Sequence, residues 1–113
     1  MFKVTFYKTE DGRKPAGEFV KSLDDIGRAS VVSAIRTLAN EGNALRPPKS
    51  KPLVENLFEL RIRDRSNAYR IIYFFIVGEE IIVTNGFTKK TQKTPPSEIE
   101  LAKKFRDDFL KRQ

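Results

Sequence analysis

The 113-residue sequence contains neither cysteine nor histidine. Without cysteine there is no disulfide framework and no thiolate metal site. Without histidine the usual zinc ligands and the commonest general base are missing as well, so any acid–base work falls to Glu, Lys, Arg and Tyr. Long apolar runs are also absent. The longest, Ile71 to Val77, is far short of the ~20 residues that a membrane-spanning helix requires. Residues Met1 to Thr9 place Lys3 and Lys8 in an alternating pattern, unlike the apolar stretch of a signal peptide. These features predict a cytoplasmic location and no membrane partner. Glycine-rich phosphate loops, Ser/His/Asp sets, internal repeats and low-complexity tracts are not found either.

What the chain does have is positive charge. The net charge is +7, and most of it lies between residues 46 and 93, where ten Lys or Arg face five Asp or Glu. A field placed there favours nucleic acid, ribosome or an acidic protein as partner, although a solvated basic surface accounts for composition equally well. The length predicts one domain over residues 1–113 with a single core.

Alternation in Phe2-Lys3-Val4-Thr5-Phe6-Tyr7 predicts a strand, followed by a turn at Asp11-Gly12. Pro15 suits the first turn of a helix carrying Phe19, Val20 and Leu23. Asp24 or Asp25 can cap a longer helix that ends at Gly42 and aligns Val31, Ala34, Ile35 and Leu38, giving a helical hairpin. Residues 43–52, with Pro47, Pro48 and Pro52 among Arg46, Lys49 and Lys51, read as a basic loop without regular structure. Strands are expected at about 57–63, 68–77 and 80–89, in meander order. Asn85-Gly86 is itself a turn signal and leaves open a division of the last strand. A final helix is expected from Ser97, which has capping-box spacing to Glu100 behind Pro95-Pro96. Its Ala102, Phe105 and Phe109 face either packs on the sheet or docks a partner.

Within the first of the three later strands, Phe58, Leu60 and Ile62 point one way and Glu59, Arg61 and Arg63 the other. Alone, these charges describe a solvated face whose internal ion pair contributes only ~0–1 kcal/mol. Arg70 changes the reading, because it leads into an apolar run where a cation needs a partner or a site. The short link from Asp64 to Ala68 folds it back beside Arg61 and Arg63. Either Glu59 bridges Arg70 structurally, or the cations clamp a phosphate. Downstream, Phe87-Thr88-Lys89-Lys90-Thr91-Gln92-Lys93-Thr94-Pro95 supplies the aromatic, hydroxyl, amide and ammonium groups that a polynucleotide backbone and a stacked base require.

The stretches Leu57-Phe58-Glu59-Leu60-Arg61, Tyr69-Arg70-Ile71-Ile72-Tyr73 and Phe87 to Pro95 together resemble the RelE/ParE superfamily of type II toxin–antitoxin toxins, in its phage-derived HigB-like branch. The resemblance covers essentially the whole chain. It implies a RelE-like α+β fold, an antiparallel sheet of about four strands with an N-terminal helical hairpin and a C-terminal helix, helices on one side and a basic concave face on the other. It also implies a ribosome-dependent mRNA endoribonuclease acting in the A site without metal or other cofactor. The ribose 2′-OH attacks its own 3′ phosphate, leaving a cyclic phosphate and a free 5′-OH. By position, Arg61 and Arg70 would clamp the scissile phosphate and Lys90 would assist the leaving oxygen, a role Lys89 and Lys93 could share. Glu59 stands where some relatives have Lys and becomes a candidate base, the alternatives being a lysine such as Lys51 or positioning of the hydroxyl against ribosomal RNA. Lys49, Lys51, Arg63, Arg65, Lys89, Gln92 and Lys93 would hold RNA. The C-terminal Phe109-Leu110-Lys111-Arg112-Gln113 lacks the Tyr or His that many family enzymes carry there. Implied partners are a helix-turn-helix antitoxin, mRNA and the ribosome, with operator DNA reached only through the antitoxin. ParE-like relatives bind DNA gyrase without catalysis, and an inactive RNA-binding remnant is a third reading.

Overall fold

Helix-start and helix-stop chemistry shapes the N-terminal half. In the computed structural model, which describes residues 1–113, β1 (Lys3–Phe6) leads to α1 (Pro15–Ser22). Pro15 occupies the first helical turn, where a missing N–H leaves no intrahelical bond unmade. Asp24 is the residue that caps α2 (Asp25–Glu41), its carboxylate accepting the Gly27 N–H at 2.8 Å. Gly42 ends α2 with φ of +52°, and a Cβ there would lie 2.0 Å from the Phe2 ring, so both conformation and space require glycine.

The sheet comprises β1, β2 (Ser50–Pro52), β3 (Phe58–Asp64), β4 (Asn67–Ile76) and β5 (Glu80–Thr88), and α3 (Pro96–Lys111) follows it. Its order is β1-β5-β4-β3-β2. Two expectations are corrected here: there are five strands rather than about four, and the sheet is mixed. β1 runs parallel to β5, Lys3 opposite Glu80 and Phe6 opposite Val83. β2 forms within the segment expected to be irregular. As an edge strand it pairs on one side only, so Pro52 can sit at its end. Ser50 Oγ and Tyr73 OH, 2.6 Å apart and buried, fasten β2 to the sheet.

Asn85-Gly86 does not turn. β5 runs through both residues with a bulge, since Ile72 lies opposite Asn85 and Tyr73 opposite Val83, leaving Thr84 as the extra residue. Gly86 serves close packing instead, because a Cβ there would come within 2.6 Å of both Ile71 and Phe19. The capping box is also absent. α3 begins at Pro96 with Pro95 as its cap position. Glu98 accepts Asn85 Nδ2 at Oε1 (3.0 Å) and at its backbone oxygen (3.2 Å).

On one face of the sheet, Val31 and Leu38 pack with Leu60, Ile71, Tyr73, Ile81 and Val83. On the other, Ala102, Phe105 and Phe109 of α3 pack with Ile72, Phe74 and Ile82. The expected arrangement of helices on one side only is therefore corrected. β4 buries consecutive residues Ile71, Ile72, Tyr73 and Phe74, and a strand apolar on both faces needs cover on both. Each such side chain contributes ~1.5–3 kcal/mol when fully buried. No helix is long and apolar enough to cross a membrane.

Candidate active site

Strand residues alternate faces, so the sheet register sorts the cations. Arg61 lies opposite Arg70, and Arg70 opposite Phe87. Glu59 lies between Lys51 on β2 and Ile72 on β4. Arg63 is opposite Ala68, whose carbonyl accepts the Lys89 N–H at 2.8 Å. Arg61 N–H donates to the Lys49 carbonyl, also at 2.8 Å. Six cationic residues, Lys49, Lys51, Arg61, Arg63, Arg70 and Lys89, thus share one end of the face whose other end α3 covers. A single carboxylate, Glu59, sits among them.

Glu59 is fully buried. Its Oε1 is 3.4 Å from Arg61 Nε and 3.5 Å from Arg70 Nε, and its Oε2 accepts the Thr94 hydroxyl. Arg70 is 8% exposed, with Nη1 donating to the Tyr69 carbonyl at 3.0 Å. Its buried Nε has no hydrogen-bond partner. One carboxylate is therefore divided between two guanidiniums, and positive charge is left over. Burial lowers the Arg70 pKa; Glu59 opposes that shift while Arg61 and Arg63 reinforce it. Half-buried Lys89 is lowered by burial first and then by Arg70, with further lowering from Arg61 and Lys51 against the pull of Glu59. An entering anion relieves this excess, and phosphate oxygens suit guanidinium donors.

The other expected site residues fall into two groups. Lys90, Gln92 and Lys93 are exposed on the 89–95 segment, where Thr91 Oγ1 donates to the Lys93 carbonyl at 3.0 Å. Arg65 is not brought to the cluster. Its guanidinium pairs with Asp64 at 2.9 Å and Asp24 at 3.0 Å, carboxylates that raise its pKa further, and it ties the β3–β4 turn to the start of α2. Glu59, expected as a base, has both oxygens engaged and no exposure. Tyr69 and Tyr73 lie in the core beneath α1 and α2. Tyr7 donates to Asp108 at 2.6 Å and stacks on Phe105.

Sequence reasoning missed Thr94 and the Asn85–Glu98 contact. Glu59 and Asn85 flank Ile72 in one cross-sheet row, and each holds one end of the turn into α3, Glu59 at Thr94 and Asn85 at Glu98. A groove of about 630 Å³ also runs between α2 and the edge of β3, floored by Leu45, Leu60 and Ile62 and sharing Lys49, Arg61 and Arg63 with the cluster.

Residues 18–107 match the family described as phage-derived protein Gp49-like. The chain is also 31% identical, over 98 residues, to proteins named probable endoribonuclease HigB1 from two strains of Mycobacterium tuberculosis, CDC 1551 / Oshkosh and ATCC 25618 / H37Rv. The alignment spans 86% of this chain and 75% of each relative. The family match takes in β2 to β5, the 89–95 segment and every member of the cation cluster. The chain belongs to the phage-derived Gp49-like family, within the HigB-like branch of the RelE/ParE toxins.

Proposed function

We propose that this protein is the toxin of a type II toxin–antitoxin pair and an endoribonuclease that cleaves mRNA in the ribosomal A site, inhibiting translation, with a cognate antitoxin as its neutralising partner. The observation that carries the reading is the convergence of Arg61, Arg70 and Lys89 from two strands and a strand end upon one over-shared carboxylate. The name of the mycobacterial relatives points to the same chemistry.

In the reaction, the 2′-oxygen attacks phosphorus, the bond to the 5′-oxygen breaks, and the products are a cyclic phosphate and a 5′-OH. Arg61 and Arg70 stabilise the dianionic phosphorane, and preorganised donors of this kind contribute most where water is excluded. The lowered pKa of Lys89 suits it to protonate the leaving 5′-oxygen. Lys90, one residue further along, together with Gln92 and Lys93, contacts the RNA backbone. Glu59 serves by holding the two guanidiniums, and Lys51, opposite it on β2, takes the part of activating the 2′-OH. The chain's own cations carry the charge stabilisation, so the mechanism requires no metal. Lys49 and Arg63 extend the track for the strand along the groove.

The test is induction in a host followed by primer extension on a resident mRNA, beside a gyrase supercoiling assay. Cleavage within codons with supercoiling untouched is expected. Arg61→Ala and Arg70→Ala should each reduce cleavage by about 10²–10³-fold while thermal melting shows a folded protein, because Glu59 keeps its other guanidinium and Thr94. Lys89→Ala should reduce it more than Lys90→Ala. Inhibition of supercoiling without RNA cleavage would overturn the proposal, as would arrest at wild-type strength in either arginine variant.

A further inference from the structure

The segment from Lys89 to Lys93 arches from the end of β5 to α3, and its two ends are held differently. At the first, the Lys89 N–H continues the ladder to the Ala68 carbonyl at 2.8 Å. At the second, the Thr94 hydroxyl donates to Glu59 Oε2 across 35 residues of sequence. Between them Thr91 Oγ1 donates to the Lys93 carbonyl, and no other side-chain bond from the arch reaches the body of the protein. Glu59 is therefore the one point at which the arch and both phosphate-facing guanidiniums are fastened to the same group. Its Oε1 takes Arg61 and Arg70, and its Oε2 takes Thr94.

We propose that Thr94 is a positioning residue, which by its bond to Glu59 sets the lysine-bearing arch at a fixed height over Arg61 and Arg70. This rests on the nuclease reading above. Pro95 and Pro96 follow at once and have no N–H to offer, so the backbone beyond Thr94 cannot replace the lost bond by donating to Glu59. Next, Glu98 is held by Asn85, which fixes α3 but not the arch. The hydroxyl of Thr94 thus has a task that neither its neighbours nor its backbone duplicates. Loss of this bond alters the transition state more than ground-state binding, because it frees Glu59, which aims Arg61 and Arg70, while Lys90, Gln92 and Lys93 can still touch RNA.

Two variants test this in the full-length protein. Thr94→Val keeps the shape and removes the donor, and Thr94→Ser restores it. With mRNA programmed on ribosomes as substrate, Thr94→Val is expected to lower kcat by about ten- to a hundredfold with KM little changed, the scale of one hydrogen bond to a charged group. Thr94→Ser should lie within a few-fold of wild type. Independently of cleavage, hydrogen exchange of the purified Thr94→Val protein should quicken at the Lys89 amide, the one amide of the arch with a hydrogen bond to lose, and stay unchanged in β4 and in α3 beyond Glu98. Unchanged exchange in the arch, unchanged kcat, a rise in KM alone, or failure of Ser to rescue would each overturn the positioning role. Arg61→Ala, run in parallel, separates the two claims. Loss in Arg61→Ala with full activity in Thr94→Val defeats the latch alone. Full activity in Arg61→Ala defeats the nuclease site, and the exchange result then decides the latch by itself.

Discussion

The buried contact between Ser50 Oγ and Tyr73 OH, 2.6 Å long with the residues 3% and 1% exposed, yields a quantitative expectation for β2. Such a bond contributes ~0.5–1.5 kcal/mol net, whereas orphaning one buried partner costs ~1–3 kcal/mol. Tyr73→Phe keeps the ring stacked on Phe58 at 5.6 Å and edge-on to Phe75 at 5.7 Å, so its cost is that of the stranded Ser50 hydroxyl. Ser50→Ala strands the phenol in the same way. Each single variant should lose about 1–2 kcal/mol, and the double variant about the same rather than the sum, since no orphan then remains. In a chain of this length a loss of 1 kcal/mol lowers the melting temperature by roughly 4 °C. Urea unfolding of the four proteins, with the slope unchanged, measures the coupling, expected near 1 kcal/mol. A double-variant loss equal to the sum would refute the pairing. Because β2 brings Lys49 and Lys51 to the site, hydrogen exchange at residues 49–51 should also quicken in both single variants.

If Lys89 is the proton donor of the proposed nuclease, its ammonium, whose pKa is lowered by burial and by Arg70, should give the cleavage rate an alkaline limb below the ordinary lysine range, since the donor loses its proton as pH rises through the folded-state value. Lys89→Arg stays charged and should move that limb upward; a limb indifferent to the change would remove Lys89 from the chemistry. The same shift has a stability sign. The unfolded chain holds this proton more tightly, so stability should rise as pH climbs from the folded-state value towards the free value of 10.5, and Lys89→Met should abolish the rise. Gly86→Ala would put a methyl 2.6 Å from Ile71 and Phe19 and should destabilise by about 1–3 kcal/mol through overpacking. A change below ~0.5 kcal/mol in urea unfolding would show that α1 has room to retreat.

Features set by local chemistry were legible in the sequence. The aspartate cap at Asp24 or Asp25, the Gly42 stop, the apolar stripe of α2 and the alternation of β3 each depend on residues within a turn or two of one another. The return of Arg70 to the neighbourhood of Arg61 and Arg63 was legible for the same reason, because a short turn leaves little freedom, and the structure adds the register that puts Arg70 opposite Arg61. The parallel partnership of β1 and β5 was not, since nothing in either strand names a partner some 77 positions away. β2 was hidden by Pro47, Pro48 and Pro52, which argue against a strand until its edge position is known. The reach of Thr94 to Glu59, and the capture of Arg65 by Asp24 across 41 residues, depend on which loops the finished sheet brings together. Glu59 shows the limit most clearly. Its spacing marked it as part of a charged face, but whether that face is wet or sealed is decided by the loop that lands on it.

The first strand of the chain has to wait for the last. β1 finds its neighbour only at Glu80 to Val83, and Tyr7 and Lys8 are then tied to Asp108 and Arg112. Any product of interrupted synthesis that stops short of β5 leaves its opening strand without a sheet neighbour and lacks Lys89 as well. Assembly from so distant a pairing is intrinsically slow. The topology thereby withholds a complete cation cluster until nearly the whole polypeptide exists, an interval in which a partner already present could meet the fold as it closes.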